Sequence, residues 1–460
     1  MQWWLYEEQK EAENAGVSLW LLIFIYVVVI ALCLFIRAAT WPNSKHIDAL
    51  FFLPALVLPF LIITAIVCFA NVFKSSRVHY AEMRKLIAMS RECYLRKYAQ
   101  QNIIIAGWSV ITPLEQPALN MLKLEGQFPL APKTPLKITR QQGFDYTRNE
   151  QIFLRLIEPL TEKLKNHSCR SLKTAVWVRE ADDSCCDELR RILRLFNIHH
   201  GNHYPIEYLP ECPDYSLINT WIKESITSGV YYLLFIIDIH GDDSDSKSME
   251  NACALLLTDR FIQIESEKPI YLYQPMVGVR DVEAKIPVYL HTEPVTSPKT
   301  LWHTGLSRAE KYPLLKALDE HKLAPDRLDI EASLGARSAG YRWLALAMAA
   351  DAVKYAQGGQ LVAVSENNLF SITALSSHSS PEQDCFIGFE HIQPWLFGGM
   401  SGFLLMLSFW ICQFSFFDLK EPLSLPGFIT CSVIPLIVGG VIGIFATWHS
   451  SKSARTDMGW

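Results

Sequence analysis

Ala339-Gly-Tyr-Arg-Trp-Leu-Ala-Leu-Ala-Met-Ala-Ala-Asp-Ala352 is the stretch on which the fold turns. A helical pattern runs from Ala339 to Ala356, and small residues stand on all its sides, among them Ala345, Ala347, Ala349, Ala350 and Ala352. A helix so stripped of bulk lets its neighbours approach closely, as a helix laid between two sheets requires. Working outward, short runs rich in Val, Ile and Tyr at Asn102–Ile111, Thr174–Val178, Val230–Ile239, Ala252–Leu257, Ile270–Val277 and Leu361–Val364 read as strands. Helical patterns at Cys186–Leu195, Leu217–Thr227 and Tyr312–His321 alternate with them. This alternation predicts an α/β domain with buried sheets. No internal sequence repeat is visible.

Four strongly apolar segments bracket that domain: Val17–Ile36, Leu50–Ala70, Trp395–Phe417 and Gly427–Trp448. Each is long enough to cross a hydrocarbon core of ~30 Å, and none carries Lys, Arg, Asp or Glu in its apolar core. The first is not a cleaved leader, because Glu7, Glu8, Glu11 and Glu13 precede it against Lys10 alone. Trp3, Trp4, Trp20, Trp41, Trp395, Trp448 and Trp460 lie near the expected span ends, where interfacial aromatic belts form. Lys74, Arg77, Arg84, Lys85, Arg91, Arg96 and Lys97 follow the second span, whereas the first loop offers only Arg37 and Lys45. By the positive-inside rule the middle domain and both termini face the cytoplasm.

The expected organisation is a membrane anchor over residues 1–73, a basic connector helix over 74–100, the α/β domain over 101–393, a second anchor over 394–449 and a tail over 450–460. The connector, with Met83, Leu86, Ile87 and Tyr94 as a partial apolar stripe, either rests on anionic headgroups or simply enforces topology. A net charge of −5 offers no footprint for nucleic acid. The eleven cysteines show neither a CxxC pair nor metal spacing, which suits small buried hydrophobes in a reducing compartment and not a disulfide framework. Asp238, His240, Asp242, Asp243 and Asp245 do not form a calcium loop, because Asp243 and Met249 stand where Gly and Glu are needed. No metal or other cofactor is expected. The spans lack the ionisable residues of a transport pathway, Gln413 being their conspicuous polar side chain.

Three patches resemble the β-ketoacyl synthases of the thiolase-like fold. Asn102-Ile-Ile-Ile-Ala-Gly107-Trp-Ser-Val-Ile-Thr-Pro113-Leu with Ala118–Gly126 is similar to that family's opening strand, turn and helix. Asn251-Ala-Cys-Ala-Leu-Leu-Leu-Thr-Asp259, with Lys268–Tyr273 and Val277-Gly278, is similar to its returning strands. Ser333-Leu-Gly335-Ala-Arg-Ser-Ala339-Gly340, the Ala-rich helix and Leu361–Ser365 look like its closing helix and strand. The resemblance implies an α/β thiolase-like (αβαβα) cytoplasmic domain, flanked here by two N-terminal and two C-terminal transmembrane helices. Such domains generally form homodimers.

The chemistry of that family needs a thiolate at the start of a buried helix and histidines that stabilise developing charge. By the resemblance the nucleophile falls at Cys212, in Leu209-Pro-Glu-Cys212-Pro-Asp-Tyr-Ser216, where Glu211 and Asp214 raise a thiol pKa. One catalytic histidine falls at Ala336 and the supporting lysine at Glu331; His303, in His303-Thr-Gly305, or His291 is left for the other. The Gly-rich donor loop reads Ser365-Glu-Asn-Asn-Leu-Phe370, without Gly. These departures predict a pseudoenzyme at a bacterial inner membrane, acting as an adaptor for a protein client. In architecture the chain is similar to accessory membrane proteins of type VI secretion, which makes a secreted effector the expected client. The rival expectation is a membrane-bound condensing or acyl-transferring enzyme that uses Cys212. Arg280–Thr304 fits no element of the family pattern.

Overall fold

The computed structural model describes residues 2–7, 18–42, 46–140, 146–166, 172–198, 205–228, 230–240, 248–258, 268–379, 393–416 and 425–459. The chain divides into two units, Met1–Trp4 with Glu92–Gln383 and Leu5–Arg91 with Asp384–Trp460. It begins with helices α1 (Leu19–Thr40), α2 (Ala49–Phe52) and α3 (Leu58–Ala99). The basic connector is continuous with the second span, since α3 runs for 42 residues, about 63 Å of helix and twice a hydrocarbon core. Trp3 departs from the expected interfacial belt: it is buried between the rings of Tyr98 and Tyr289, at 5.8 and 5.3 Å. Cys93 is disulfide-bonded, which corrects the expectation of reduced cysteines throughout; Cys33, Cys68, Cys185, Cys186, Cys212, Cys253, Cys412 and Cys431 are free.

Among the described residues, the first of these units is built on eleven strands: β1 (Asn102–Ile111), β2 (Leu172–Val178), β3 (Ile206–Tyr208), β4 (Tyr231–Asp238), β5 (Asn251–Thr258), β6 (Ile270–Tyr273), β7 (Met276–Val279), β8 (Pro298–Thr304), β9 (Asp326–Asp329), β10 (Gly359–Glu366) and β11 (Leu369–Ser376). Their order is β3-β2-β4-β5-β1-β6-β11-β10-β8-β9, with β7 on β11. The first half pairs β3–β2 and β2–β4 parallel, then β4–β5 and β5–β1 antiparallel. The second half repeats this with β9–β8 and β8–β10 parallel, then β10–β11 and β11–β6 antiparallel. Each half thus reads third-second-fourth-fifth-first, and antiparallel β1–β6 joins them. The duplication is one of topology, invisible as a sequence repeat.

Between the strands lie α4 (Pro117–Met121), α5 (Arg148–Ile157), α6 (Thr161–Asn166), α7 (Ser184–Leu195), α8 (Ser216–Ser228), α9 (Val282–His291), α10 (Arg308–Glu320), α11 (Ile330–Leu334) and α12 (Tyr341–Lys354). Helices α8 and α12 hold equivalent places, each preceding the fourth strand of its half. Twelve of the fourteen residues of α12 are buried, and it touches β1 and β5 of one half and β8, β10 and β11 of the other. The Ala-rich helix therefore lies between the two halves of the sheet. Along β4, Tyr232, Leu234 and Ile236 enter the core shared with α8 and α12, while Tyr231, Leu233, Phe235 and Ile237 enter the core under α5, α6 and α7. Strands covered on both faces explain why these runs are apolar without alternation. Helix α9 packs on β7 and α10 outside the second half. Arg280–Thr304 is accordingly filled by α9 and β8.

The chain closes with α13 (Pro394–Phe416), α14 (Leu425–Phe428) and α15 (Ile434–Asp457). Among the described residues, four helical stretches are long and apolar enough to cross a membrane: Leu19–Thr40, Leu53–Ala99, Pro394–Ser415 and Pro426–Asp457. Helices α13 and α15 meet through glycines, and a Cβ on Gly398 would stand 2.4 Å from the Gly439 carbonyl oxygen. Small residues let the backbones touch where water supplies no driving force. Single π-helical segments, Leu53–Val57 and Ile429–Val433, each end two residues before a proline, Pro59 and Pro435. A proline removes one N–H and crowds the preceding turn, and a widened turn accommodates both effects. Glu8, Glu11, Glu13 and Lys10, used above against a cleaved leader, lie outside the described residues.

Candidate functional site

The N-termini of α8 and α12 converge beside the ends of β4, β5 and β10, the place where the sequence locates Cys212. Cys212 sits in the turn between β3 and α8, half-buried, and its Sγ donates to the Ala339 carbonyl at 3.3 Å. Burial pushes its thiol up to about 12. The Asp238 carboxylate adds to that rise, while Arg342 and Arg179 oppose it. The raising carboxylate is thus Asp238, and not the expected Glu211 and Asp214. Residue spacing hid this pair, because Asp238 arrives from β4.

A helix N-terminus can lower a thiol pKa by offering unpaired N–H groups to the thiolate. Here both N-termini hold carboxylates of the chain itself. Asp214 caps α8, accepting from the Ser216 N–H at 3.0 Å. Asp238, fully buried, accepts from the Gly340 N–H at 2.8 Å, from Ser338 Oγ and from Arg179 Nε. Gly340 permits this approach, since a Cβ there would stand 2.3 Å from Asn251 Oδ1 and 3.0 Å from Asp238 Cβ. Asn251 Nδ2 completes the cluster by donating to Ser338 Oγ at 3.1 Å.

Arg342 and Trp343 of α12 reach back to the Cys212 turn. Their Nη1 and Nε1 atoms donate to the Pro213 carbonyl at 3.0 and 2.8 Å, and Tyr215 Oη donates to the Arg342 carbonyl at 2.7 Å. The rings of Tyr215 and Trp343 meet edge to face at 5.5 Å. Arg342 also pairs with Glu366 at the end of β10. Pro213 and Tyr215 therefore fill and anchor the Cys212 turn. A cavity beside this cluster, lined by Thr304, Ser338, Ala339, Arg342, Ser365 and Glu366 among others, has a volume of about 20 Å³, room for about one water molecule.

His303 is not brought to Cys212. Trp302 enters the inner core, so His303, one residue on along β8, points to the opposite face of the sheet. There its Nδ1 lies 3.8 Å from Asp329, which is bound by Lys311 at 2.9 Å, and burial pushes the imidazole down to about 4. His291 pairs with Glu92 at 2.9 Å. Glu331, at the lysine position of the family pattern, accepts from the Gly305 N–H at 2.7 Å and Thr304 Oγ1 at 3.2 Å, tying β8 to α11. Between β10 and β11 stands a two-residue turn, Asn367-Asn368, both residues at positive φ. This primed hairpin is too short to supply a donor loop.

Arg179, Arg342, Asn251 and Glu366 escaped the sequence reading, since their partners lie far off in the chain. Only Asp238 left a signal, an acid ending an eight-residue buried strand. Among the described residues no group of three His, Cys, Asp or Glu is placed to hold a metal ion, and Asp242, Asp243 and Asp245 lie outside them.

No family profile and no curated protein matches the chain. Among solved structures it is similar to a type II polyketide acyl-carrier protein in complex with its ketosynthase, at 10% identity and a TM-score of 0.43. It is also similar to 3-oxoacyl-[acyl-carrier-protein] synthase III from Aquifex aeolicus, at 12% identity and 0.36, and to cerulenin-bound OleA from Xanthomonas campestris, at 10% and 0.38. Each likeness covers 60% of this chain and 99% of the other. At such values the description of the fold rests on the chain's own strand order and layering.

Proposed function

We propose that this chain is a catalytically silent condensing-enzyme scaffold, held by four spans with its domain on the cytoplasmic face of a bacterial inner membrane, that acts by binding a protein client. One observation carries this reading: both helix N-termini that would stabilise a thiolate are filled by Asp214 and Asp238, and Cys212 is left protonated against Ala339. Without a thiolate, and with Ala336 and the Asn367-Asn368 turn in place of the electrophile and donor loop, acyl transfer has neither nucleophile nor charge stabilisation. The architectural likeness to type VI secretion accessory proteins makes an effector awaiting export the client to test first.

The rival, a condensing enzyme working through Cys212, draws on Arg342 and Arg179, which both favour the thiolate. Incubating the detergent-solubilised full chain with a thiol-directed acyl-enzyme inhibitor and a panel of acyl thioesters, followed by intact mass and peptide mapping, separates the two. We expect Cys212 to stay unmodified while denatured protein labels fully. A stoichiometric adduct confined to Cys212 would establish the rival.

A further inference from the structure

We infer that the exposed stretch 123–140, which follows α4, is a docking surface for a protein partner that presents an apolar pocket rimmed by acidic side chains. The inference rests on the binding role proposed above and names its surface. Leu124, Phe128 and Leu130 are 44%, 38% and 80% exposed, in a unit whose strands and inner helices bury nearly all their large apolar groups. Exposed apolar side chains grouped on one segment mark contact sites more often than scattered ones do.

The stretch is pinned to the domain. The Leu124 N–H donates to the Leu119 carbonyl at 2.9 Å, the Ala131 N–H to Ala332 at 3.1 Å, and the Glu250 N–H to Leu136 at 3.1 Å. Beneath it the buried Glu250 carboxylate accepts from the Ile138 N–H at 2.6 Å and from Arg148 at 2.7 Å. Pro129, Pro132 and Pro135 fix φ at three further points. Leu130 is therefore offered from an ordered backbone, and a partner meets little ordering cost. Charge selects that partner: among the described residues of 123–140, Lys123, Lys133, Lys137 and Arg140 are exposed against the one acid Glu125, so an acidic rim complements the surface.

The test places a photoreactive amino acid at Leu130 of the full chain in cells that make it, with exposed Tyr312 as the control position. We expect one protein adduct at Leu130, about tenfold above Tyr312, whose mapped contact is apolar with neighbouring Asp or Glu. Lys133→Glu with Arg140→Glu should lower the yield about tenfold at an unchanged melting temperature, and Leu130→Glu alone, at a surface position, should abolish a reporter crosslink from Leu124. An adduct on phospholipid, an adduct on a second copy, no adduct above the control, or indifference to charge reversal would each overturn the inference. Cys212 labelling in the same samples keeps the two proposals apart. A reactive Cys212 defeats the silent-scaffold reading, while a failed crosslink beside an unreactive Cys212 defeats only the docking surface.

Discussion

Asp238 accepts from Arg179, Ser338 and Gly340 while fully shielded from water, so its removal strands three donors at once. Asp238→Ala should cost about 3–5 kcal/mol, read as a fall on the order of 10 °C in the melting midpoint of the solubilised chain. An unchanged midpoint would mean that the cluster does not hold α12 in place. His303 gives a pH signature of its own. Its imidazole is pushed from 6.5 down to about 4 in the fold, so between those values the unfolded chain binds the proton that the folded chain refuses. Stability is full above about pH 6.5 and declines toward pH 4, by at most about 3 kcal/mol from this residue. Melting curves over that range should show the decline in the wild type and a flatter profile in His303→Asn. Neither residue's role was legible beforehand: His303 matched a tripeptide, and the two-residue period of β8 turned it away from the site.

The elements most open to reading were those whose packing writes a pattern into the chain. Asn102–Ile111 forms β1 with the expected bounds, and the Ala-rich run forms α12 two residues late, because Gly340 is spent on the contact with Asn251. The elements that escaped had other determinants. Edge strand β9 reads Asp-Arg-Leu-Asp and gains its form from β8, while α9 carries Pro287 inside it and shows little amphipathic contrast. Ile270–Val277, expected as one strand, is broken at Gln274-Pro275 into β6 and β7. The β10–β11 turn offers a test of why no donor loop exists. With both asparagines left-handed, Asn367→Val should destabilise by about 1–2 kcal/mol and Asn368→Gly should be neutral or stabilising. Thermal midpoints that order the other way would show that the turn is not what fixes Glu366 against Arg342.

At the scale of the molecule, the twofold repetition of strand order was hidden because topology is kept by burial and hydrogen bonding, which many sequences satisfy. The site lies where the two copies meet, and its closure is a property of that meeting: each half supplies groups that fill the other's helix end or turn. Arg342 and Trp343 of the second half hold Pro213 of the first, and Asp238 of the first caps α12 of the second. The proposed cytoplasmic orientation, read from the basic residues after the second span, predicts that a reporter active only in the periplasm, fused behind residue 460, stays dark. A bright reporter would reverse the topology.

The central claim, that the converging helices hold a protonated thiol, is tested most directly by the pH dependence of alkylation at Cys212. The measurement is made residue by residue on the folded, solubilised chain, with the denatured chain as reference. The account predicts a rate that keeps rising with pH beyond 10, as a thiol pushed up to about 12 requires, and negligible labelling at pH 7. A half-point at or below pH 8 would contradict it and return Cys212 to the class of working nucleophiles.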